Sequence, residues 1–463
     1  MLIVMKFGGS LLASKGGISR VAGTVCHYSR RNKVVVVVSA LGGVTDMLLE
    51  AADSAQNSDG RRTLELTRRI KVTQTGASDQ ISARRATDVA RTQEELFEAL
   101  RKILEGVSFL RELTPRSKDL IASFGERLSA PIVSAAIEDA GLRAKALTGA
   151  QAGIITNDSF GEAYPEFTQT RATAKKVLLP LLSKGVVPVV TGFIAGTRSG
   201  EITTLGRGGS DYTATILADA IDADEVWIWT DVDGIMTADP RVVPDATVIR
   251  ELSYAEAEEM AFFGAKNMHP LALGPARLRE IPVRIRNGYK TELPGTLIDG
   301  LERRKEGVAK AIMLVRKVGM MTVSGETLMG RPGTAAGVFQ TLGKQGVNVL
   351  MISQSVSESN ISFVIKRESL EKARSALESG MNTSGPRAKI DVEPDVAVVA
   401  AVGAGMKGTP GVAAKVFGAV AHKGINVRMI AQGSSELNIS FVVKEKVAER
   451  AVQALHSELV AHR

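Results

Sequence analysis

Cysteine is almost missing from this 463-residue chain, where Cys26 stands alone. That excludes an intrachain disulfide and a thiolate metal cluster, and it makes a reducing cytoplasm the expected location. Histidine is scarce as well. His27, His269, His422, His456 and His462 lie far apart and show no metal-ligand spacing, so no protein-held metal is expected. Aromatic residues make up only 4%, and no compact basic-aromatic patch interrupts the chain. The net charge of +8 is accounted for by anionic small substrates, and no nucleic-acid partner is expected. No apolar run reaches the roughly 18 residues that cross a bilayer, so no membrane partner is expected. The start Met1-Leu2-Ile3-Val4-Met5-Lys6 has no basic region ahead of it and reads as a first strand, not a signal peptide. A Walker loop is also absent, since no G-x-x-x-x-G-K-[ST] occurs.

What the chain does contain is ordinary globular material, 44% hydrophobic and 23% charged, in a length that suggests two to four domains. Residues 2–7 read as a buried strand ended by Gly8-Gly9-Ser10, and Gly17–Ser29 as a helix. Val34 to Val38 is an unbroken valine run, the pattern of a central parallel strand. Further strands are expected at Ala144–Leu147, Val186–Gly192, Glu225–Thr230 and Pro282–Arg286. Helices are expected at Ile121–Ile137, Thr168–Lys184, Asp211–Ile221 and Tyr254–Phe263. This alternation over about 300 residues predicts an α/β sandwich with a mostly parallel central sheet. Between about 53 and 118 the valine runs stop, and Arg-, Glu- and Ala-rich texture predicts a helical insertion. Residues 301–307 read as a charged linker.

Beyond the linker lies an internal repeat. The segment from Gly330 to Lys366 matches Gly408 to Lys444 without a gap, with about 21 of 37 positions identical. Each copy reads strand, Pro-Gly turn, helix, strand, strand, helix, which predicts a pair of βαββαβ units. The second copy lacks sequence for a closing strand. Val308–Val315 is therefore expected to close it, giving one unit from 316–393 and another from 308–315 plus 394–463.

In such a fold, ligands sit beyond the carboxyl ends of the strands. The stretch Thr203–Ala214 reads as a glycine-rich loop opening a helix, with Ser210 or Asp211 as N-cap and Arg207 as a fixed cation. Taken alone it is equally a helix cap with a surface Arg and Asp. Lys6-Phe7-Gly8-Gly9 puts a second cation at a strand end beside a glycine turn, a phosphate-cradle arrangement. Ser39 and Thr45 could face the same cleft or merely cap a helix, and Glu126 could hold an ammonium or complement a helix dipole. Thr230-Asp231-Val232-Asp233-Gly234 suits a nucleotide base or ribose, or is simply a turn, and Gly264-Ala265-Lys266 supplies a third cation. Cations in glycine loops suit phosphoryl transfer, which needs positioning and charge neutralisation more than covalent help.

Together these motifs resemble the aspartate kinases of the amino-acid-kinase superfamily. The resemblance rests on Lys6-Phe-Gly-Gly, Ser39-Ala-Leu-Gly-Gly-Val-Thr45, Phe124-Gly-Glu126, Thr191-Gly-Phe193 and Leu205-Gly-Arg-Gly-Gly-Ser-Asp211. Thr230-Asp-Val-Asp-Gly234, Thr237-Ala-Asp-Pro-Arg241 and Gly264-Ala-Lys266 follow in the family order. It implies an amino-acid-kinase three-layer sandwich over 1–300, followed by two ACT domains. It also implies transfer of the γ-phosphate of ATP, with Mg2+, to the side-chain carboxylate of L-aspartate. That reaction is the first step toward lysine, threonine and methionine. Lys6, Arg207 and Asp211 would then be catalytic. ATP would meet Lys6, Phe7, Gly8, Gly9, Thr230, Asp231, Met236, Arg241 and Lys266. Aspartate would meet Ser39, Thr45, Glu126, Phe193, Arg207, Gly208, Gly209 and Ser210. The chain departs from the family pattern at Leu11, where a hydroxyl is usual, and at Met236, where an aromatic is usual. It stops soon after the second repeat, so no fused homoserine dehydrogenase is expected. Gln354 and Gln432, at matching repeat positions, resemble effector contacts and favour threonine over lysine. A dimer or tetramer joined through the ACT domains is also implied.

Overall fold

The computed structural model describes residues 1–264, 270–303, 308–325, 333–357, 359–380 and 389–460. Two compact units emerge. The first contains 1–235, 250–254 and 266–301, and the second contains 236–249, 255–265 and 302–463.

The valine run becomes strand β2 (Lys33–Val38) beside β1 (Leu2–Phe7), and Val34 to Val38 are buried on both faces. β-branched side chains prefer extended backbone and fill a pleated surface well. Between and after these strands lie α1 (Gly9–Ala13), α2 (Gly17–Ser29) and α3 (Val44–Gln56). The insertion is helical, with α4 (Gly60–Ser78), α5 (Ala83–Leu110) and α6 (Pro115–Ala122) leading into α7 (Phe124–Asp139). Then come β3 (Arg143–Leu147), α8 (Phe167–Ser183), β4 (Val186–Thr191) and a hairpin of β5 (Ile194–Gly196) and β6 (Ile202–Thr204). The unit continues through α9 (Gly209–Ile221), β7 (Glu225–Thr230) and β8 (Glu251–Ser253). Of α10 (Tyr254–Phe262) only Tyr254 belongs to this unit, which resumes with α11 (Gly274–Leu278), β9 (Val283–Asn287) and β10 (Thr296–Asp299).

Eight strands form one sheet in the order β3-β4-β2-β1-β7-β9-β10-β8. Every neighbouring pair is parallel except β9 and β10. Strand side chains alternate between faces. Ile3, Met5, Phe7, Val34, Val36 and Val38 share a core with α2, α3 and α7. On the other face α9 lies against β1 and β7, and α8 against β4. The result is the expected three-layer sandwich. Within Pro115–Asp139, the α6–α7 stretch, one 18-residue window is apolar enough to cross a membrane by length and composition alone. Because 83% of its apolar window is buried in the protein, it is a core helix. The β5–β6 hairpin was not anticipated, since three-residue strands carry too little pattern to register.

In the second unit, β11 (Ala311–Ser324) and β14 (Lys389–Val402) are long neighbours. They frame α12 (Thr334–Lys344), β12 (Val349–Gln354), β13 (Asn360–Lys366) and α13 (Leu370–Gly380). After β14 come α14 (Val412–Ala421), β15 (Met429–Ala431), β16 (Asn438–Lys444) and α15 (Ala448–Leu459). One antiparallel sheet results, ordered β12-β13-β11-β14-β16-β15. Ala311–Val315 pairs with Val398–Val402, whereas Met320–Ser324 pairs with Lys389–Glu393. Between these halves the register slips, and Lys317 takes φ 58°. The strand thus begins at Ala311, not Val308, and runs on unbroken into the first repeat. Val242 and Val243 belong to the same core as Val416, Phe441 and Leu455. Thr237 Oγ1 is 2.9 Å from His456 Nε2, and the Ile312 N–H donates to the Thr237 carbonyl. Much of the expected linker, residues 304–307, and the first repeat's opening Gly330 lie outside the described residues.

Candidate active site

The Gly8 N–H donates to the Trp229 carbonyl of the neighbouring strand β7, which holds the end of β1 in the sheet, and α1 starts at Gly9. Lys6 is therefore held at the strand end with its ammonium clear of the core. Across from it, the chain leaves β6 through a turn in which Gly206 and Gly208 take φ 73° and 71°, backbone that glycine tolerates best. Gly208 is the N-cap of α9, so Ser210 and Asp211 are the second and third helical residues and neither caps by its side chain. This corrects the expected cap. The left-handed glycine turns the chain, and Asp211 is released to face Lys6.

Lys6 Nζ and Asp211 Oδ1 pair at 2.5 Å, with both side chains nearly buried. These residues line a cavity of about 610 Å³. Also on its wall are Gly9, Ser39, Thr45, Glu126, Phe193, Arg207, Gly208, Gly209 and Ser210. The loops after β1, β2 and β4 and the turn into α9 thus converge as a parallel sheet directs. Phe193 is held there at φ 65° with its N–H donating to Thr213 Oγ1, a strained conformation of the kind found at functional sites.

Charge is distributed unevenly around the cavity. Arg207 is exposed and makes no ion pair among the described residues. Glu126, at the start of α7, is 3% exposed, and its Oε2 has no hydrogen-bond partner. Burial lifts its carboxyl from 4.5 to about 8, against the pull of backbone N–H groups at Ala40 and Glu126 and of the Lys6 charge. The cavity wall therefore carries the Lys6–Asp211 ion pair, the Arg207 guanidinium, which is unpaired among the described residues, and a Glu126 carboxyl that is largely neutral near pH 7.

Some expected site residues lie elsewhere. Phe7 is buried with its ring stacked on Trp229 at 6.1 Å between centroids, and it contributes backbone only, accepting from the Ser39 N–H. Gly8, Thr230 and Asp231 are in the same unit but off the cavity wall. Met236 and Arg241 fall in the second unit, where Arg241 is exposed and pairs with Asp239 at 2.6 Å. Lys266 lies outside the described residues. Gln354 ends β12 and Gln432 follows β15, both exposed. Sequence reasoning missed Asp46, Lys118, Asp119 and Thr204, which also line the cavity. The available signal for Asp119 was an acidic residue running straight into the apolar Leu120-Ile121-Ala122.

Comparison with known proteins identifies the family. Residues 1–287 match the amino acid kinase family, and residues 321–380 and 399–459 match the ACT domain. Aspartokinase 3 of Arabidopsis thaliana chloroplasts is 35% identical over 463 residues, covering 98% of this chain and 81% of the relative. The structure of E. coli aspartokinase III in complex with aspartate and ADP superposes with a TM-score of 0.83 at 30% identity, covering 100% of both chains. The same enzyme in complex with lysine and aspartate gives a TM-score of 0.82 at 31% identity, covering 99% of this chain and 100% of that one. With an amino acid kinase unit, paired ACT repeats and full-length similarity of this order, the chain belongs to the aspartate kinases, the ATP:L-aspartate 4-phosphotransferases.

Proposed function

We propose that the cavity binds L-aspartate and that its side-chain carboxylate takes the γ-phosphate of ATP there, giving 4-phospho-L-aspartate. The observation that carries this reading is the set of charges around the cavity. Arg207 offers an unpaired cation for the α-carboxylate, and the buried Glu126 carboxyl offers an ionisable partner for the amino group. Binding an ammonium beside Glu126 favours its ionised form, so the carboxyl loses its proton as substrate enters. Ser39, Thr45, Ser210 and the backbone of Phe193, Gly208 and Gly209 shape the rest of the pocket. Lys6 neutralises charge on the transferring phosphoryl group, and the turn at Gly8 and Gly9, free of side chains, lets the phosphates approach the backbone. Thr230, Asp231, Met236, Arg241 and Lys266 complete the nucleotide contacts in this reading.

Among the described residues no three His, Cys, Asp or Glu side chains gather to hold a metal. A Mg2+ carried on ATP needs only one or two carboxylates besides phosphates and water. Asp211, a buried carboxylate on the cavity wall whose Oδ1 meets Lys6, would be the residue to supply one through its other oxygen. The ion would add charge neutralisation at the phosphates. Asp211 itself keeps Lys6 oriented and supplies the fixed negative charge opposite it.

The product would feed lysine, threonine and methionine synthesis, with feedback through the ACT repeats of a dimer or tetramer. Feedback is supported by residues 236–249, which carry Met236 and Arg241 and are part of the same compact unit as the repeats. Gln354 and Gln432 favour threonine as effector, with lysine as the competitor, since the E. coli relative holds lysine. The reading is tested by ADP release and hydroxamate formation with L-aspartate, L-glutamate and N-acetylglutamate compared. Product is expected with L-aspartate. Product with either of the others and none with L-aspartate would reject the reading.

A further inference from the structure

Asp119 sits in the last turn of α6, 3% exposed, and no cation pairs with it among the described residues. A buried carboxylate without a counter-ion is costly unless hydrogen bonds satisfy it. Three do. Oδ2 accepts from the Gly161 and Thr204 N–H groups, each at 2.9 Å, and Oδ1 accepts from the Thr204 hydroxyl at 2.7 Å. One side chain thus ties α6, the loop around Gly161 and the end of β6 together.

That tie lies three residues from Arg207. The turn between Thr204 and Arg207 also rests on the same loop. A Cβ on Gly206 would lie 3.2 Å from Glu162 Cγ and 3.5 Å from the Gly161 carbonyl oxygen. Arg207 has no hydrogen bond or ion pair of its own among the described residues. Its position is therefore set by the backbone beneath it. We infer that Asp119 is a positioning residue, holding the Gly161 loop and Thr204 so that the Arg207 guanidinium meets the substrate α-carboxylate. This inference rests on the role given to Arg207 above.

Other bonds keep the region folded when Asp119 is changed. The Ala163 N–H donates to the Thr204 carbonyl at 2.9 Å, and the hydroxyls of Thr156 and Thr203 meet at 2.7 Å. The consequence of losing Asp119 should then fall on aspartate binding. Misplacing a binding group by a fraction of an ångström to 1 Å is enough for a KM rise on the order of tenfold.

Steady-state kinetics on the full chain tests this with Asp119→Ala, Asp119→Asn, Arg207→Ala and the double variants. Asp119→Ala should raise the KM for L-aspartate on the order of tenfold and leave the KM for ATP within about twofold. Asn keeps an oxygen for the two backbone N–H groups, so Asp119→Asn should shift the aspartate KM in the same direction by less. On top of Arg207→Ala, neither change should add a further rise, because the group being positioned is gone. Should Asp119→Ala prove too unstable to purify, the Asn variant in both backgrounds reads the same coupling. Equal rises in both KM values, or a multiplying effect in the Arg207→Ala background, would overturn the positioning role alone. A native aspartate KM in Arg207→Ala itself would overturn the reading of Arg207 on which it rests.

Discussion

Replacing Glu126 by Gln removes a carboxyl that the fold holds at an unfavourable place. Burial raises it from 4.5 to about 8, so between those values it is neutral in the folded chain and ionised in the unfolded one. The unfolded state then binds fewer protons, and stability must fall as pH rises through that window. The full contribution is present below 4.5, and the loss levels off above about 8. Between pH 5.5 and pH 8 this single group should lower the unfolding free energy by about 3 kcal/mol. Gln is isosteric and does not titrate, so it is spared the loss. Urea unfolding of the ligand-free protein and of Glu126→Gln, followed by a probe in the first unit, gives the difference between the two at each pH. That difference should widen in favour of Gln by about 3 kcal/mol from pH 5.5 to pH 8, while all other titrating groups cancel. The same variant should lose affinity for aspartate, the trade of function against stability expected where an active site stores an unfavourable group. A difference that stays constant with pH would show that Glu126 titrates normally and is not desolvated.

Lys6→Met removes the preorganised charge opposite Asp211, and turnover should fall on the order of 10²–10³-fold. Steady-state ADP release checks it, and near-normal turnover removes Lys6 from the reaction. Threonine should inhibit the native chain, and Gln354→Ala or Gln432→Ala should raise the half-inhibitory concentration on the order of tenfold, as loss of a hydrogen bond to a charged ligand does. Inhibition by lysine but not by threonine in the same titration would reject the assignment.

The sandwich was readable because its signals are long and redundant. Five consecutive valines and the strand–helix alternation around them leave few other folds, and the loops at the carboxyl ends of β1, β2 and β4 are where the cavity forms. The orientation of side chains within those loops was harder to read. Ser210 and Asp211 have the chemistry of helix caps, and only the left-handed backbone of Gly208 shows that they sit inside α9 instead. Similarly, the Glu126 carboxyl reads from sequence either as a holder of an ammonium or as a dipole partner at a helix start, with nothing to show a shifted titration. Its perturbation comes from desolvation by neighbours distant in the chain, which no local pattern encodes. Asp119 escaped notice for the same reason, since its three donors come from residues 161 and 204.

The repeats show a second limit. The 21 shared positions reveal two copies, and each copy has an obvious apolar pattern of its own. A sequence repeat marks where the pattern restarts, however, not where the hydrogen bonds stop. Here β11 and β14 pass through both copies, pairing with each other at both ends and with β13 and β16 on their outer sides. A strand that spans two units gives neither a separate edge, so the copies form a single sheet with its free edges at β12 and β15. The core of the second copy extends further, to Val242 and Val243, residues that sequence order assigns to the kinase domain. Residues 236–249 mix apolar and polar side chains without a helical or strand period, so their allegiance is visible only in the packing. The buried Thr237–His456 contact and the Lys310–Glu256 ion pair at 2.7 Å bind the same segments to the repeats through polar groups. Glu256 also accepts from the Ala404 N–H at 2.7 Å, so this carboxylate meets the repeat sequence twice. The segments 236–249 and 255–265 therefore belong to the same compact unit as the repeats, the first through apolar and polar contacts and the second through the Glu256 carboxylate.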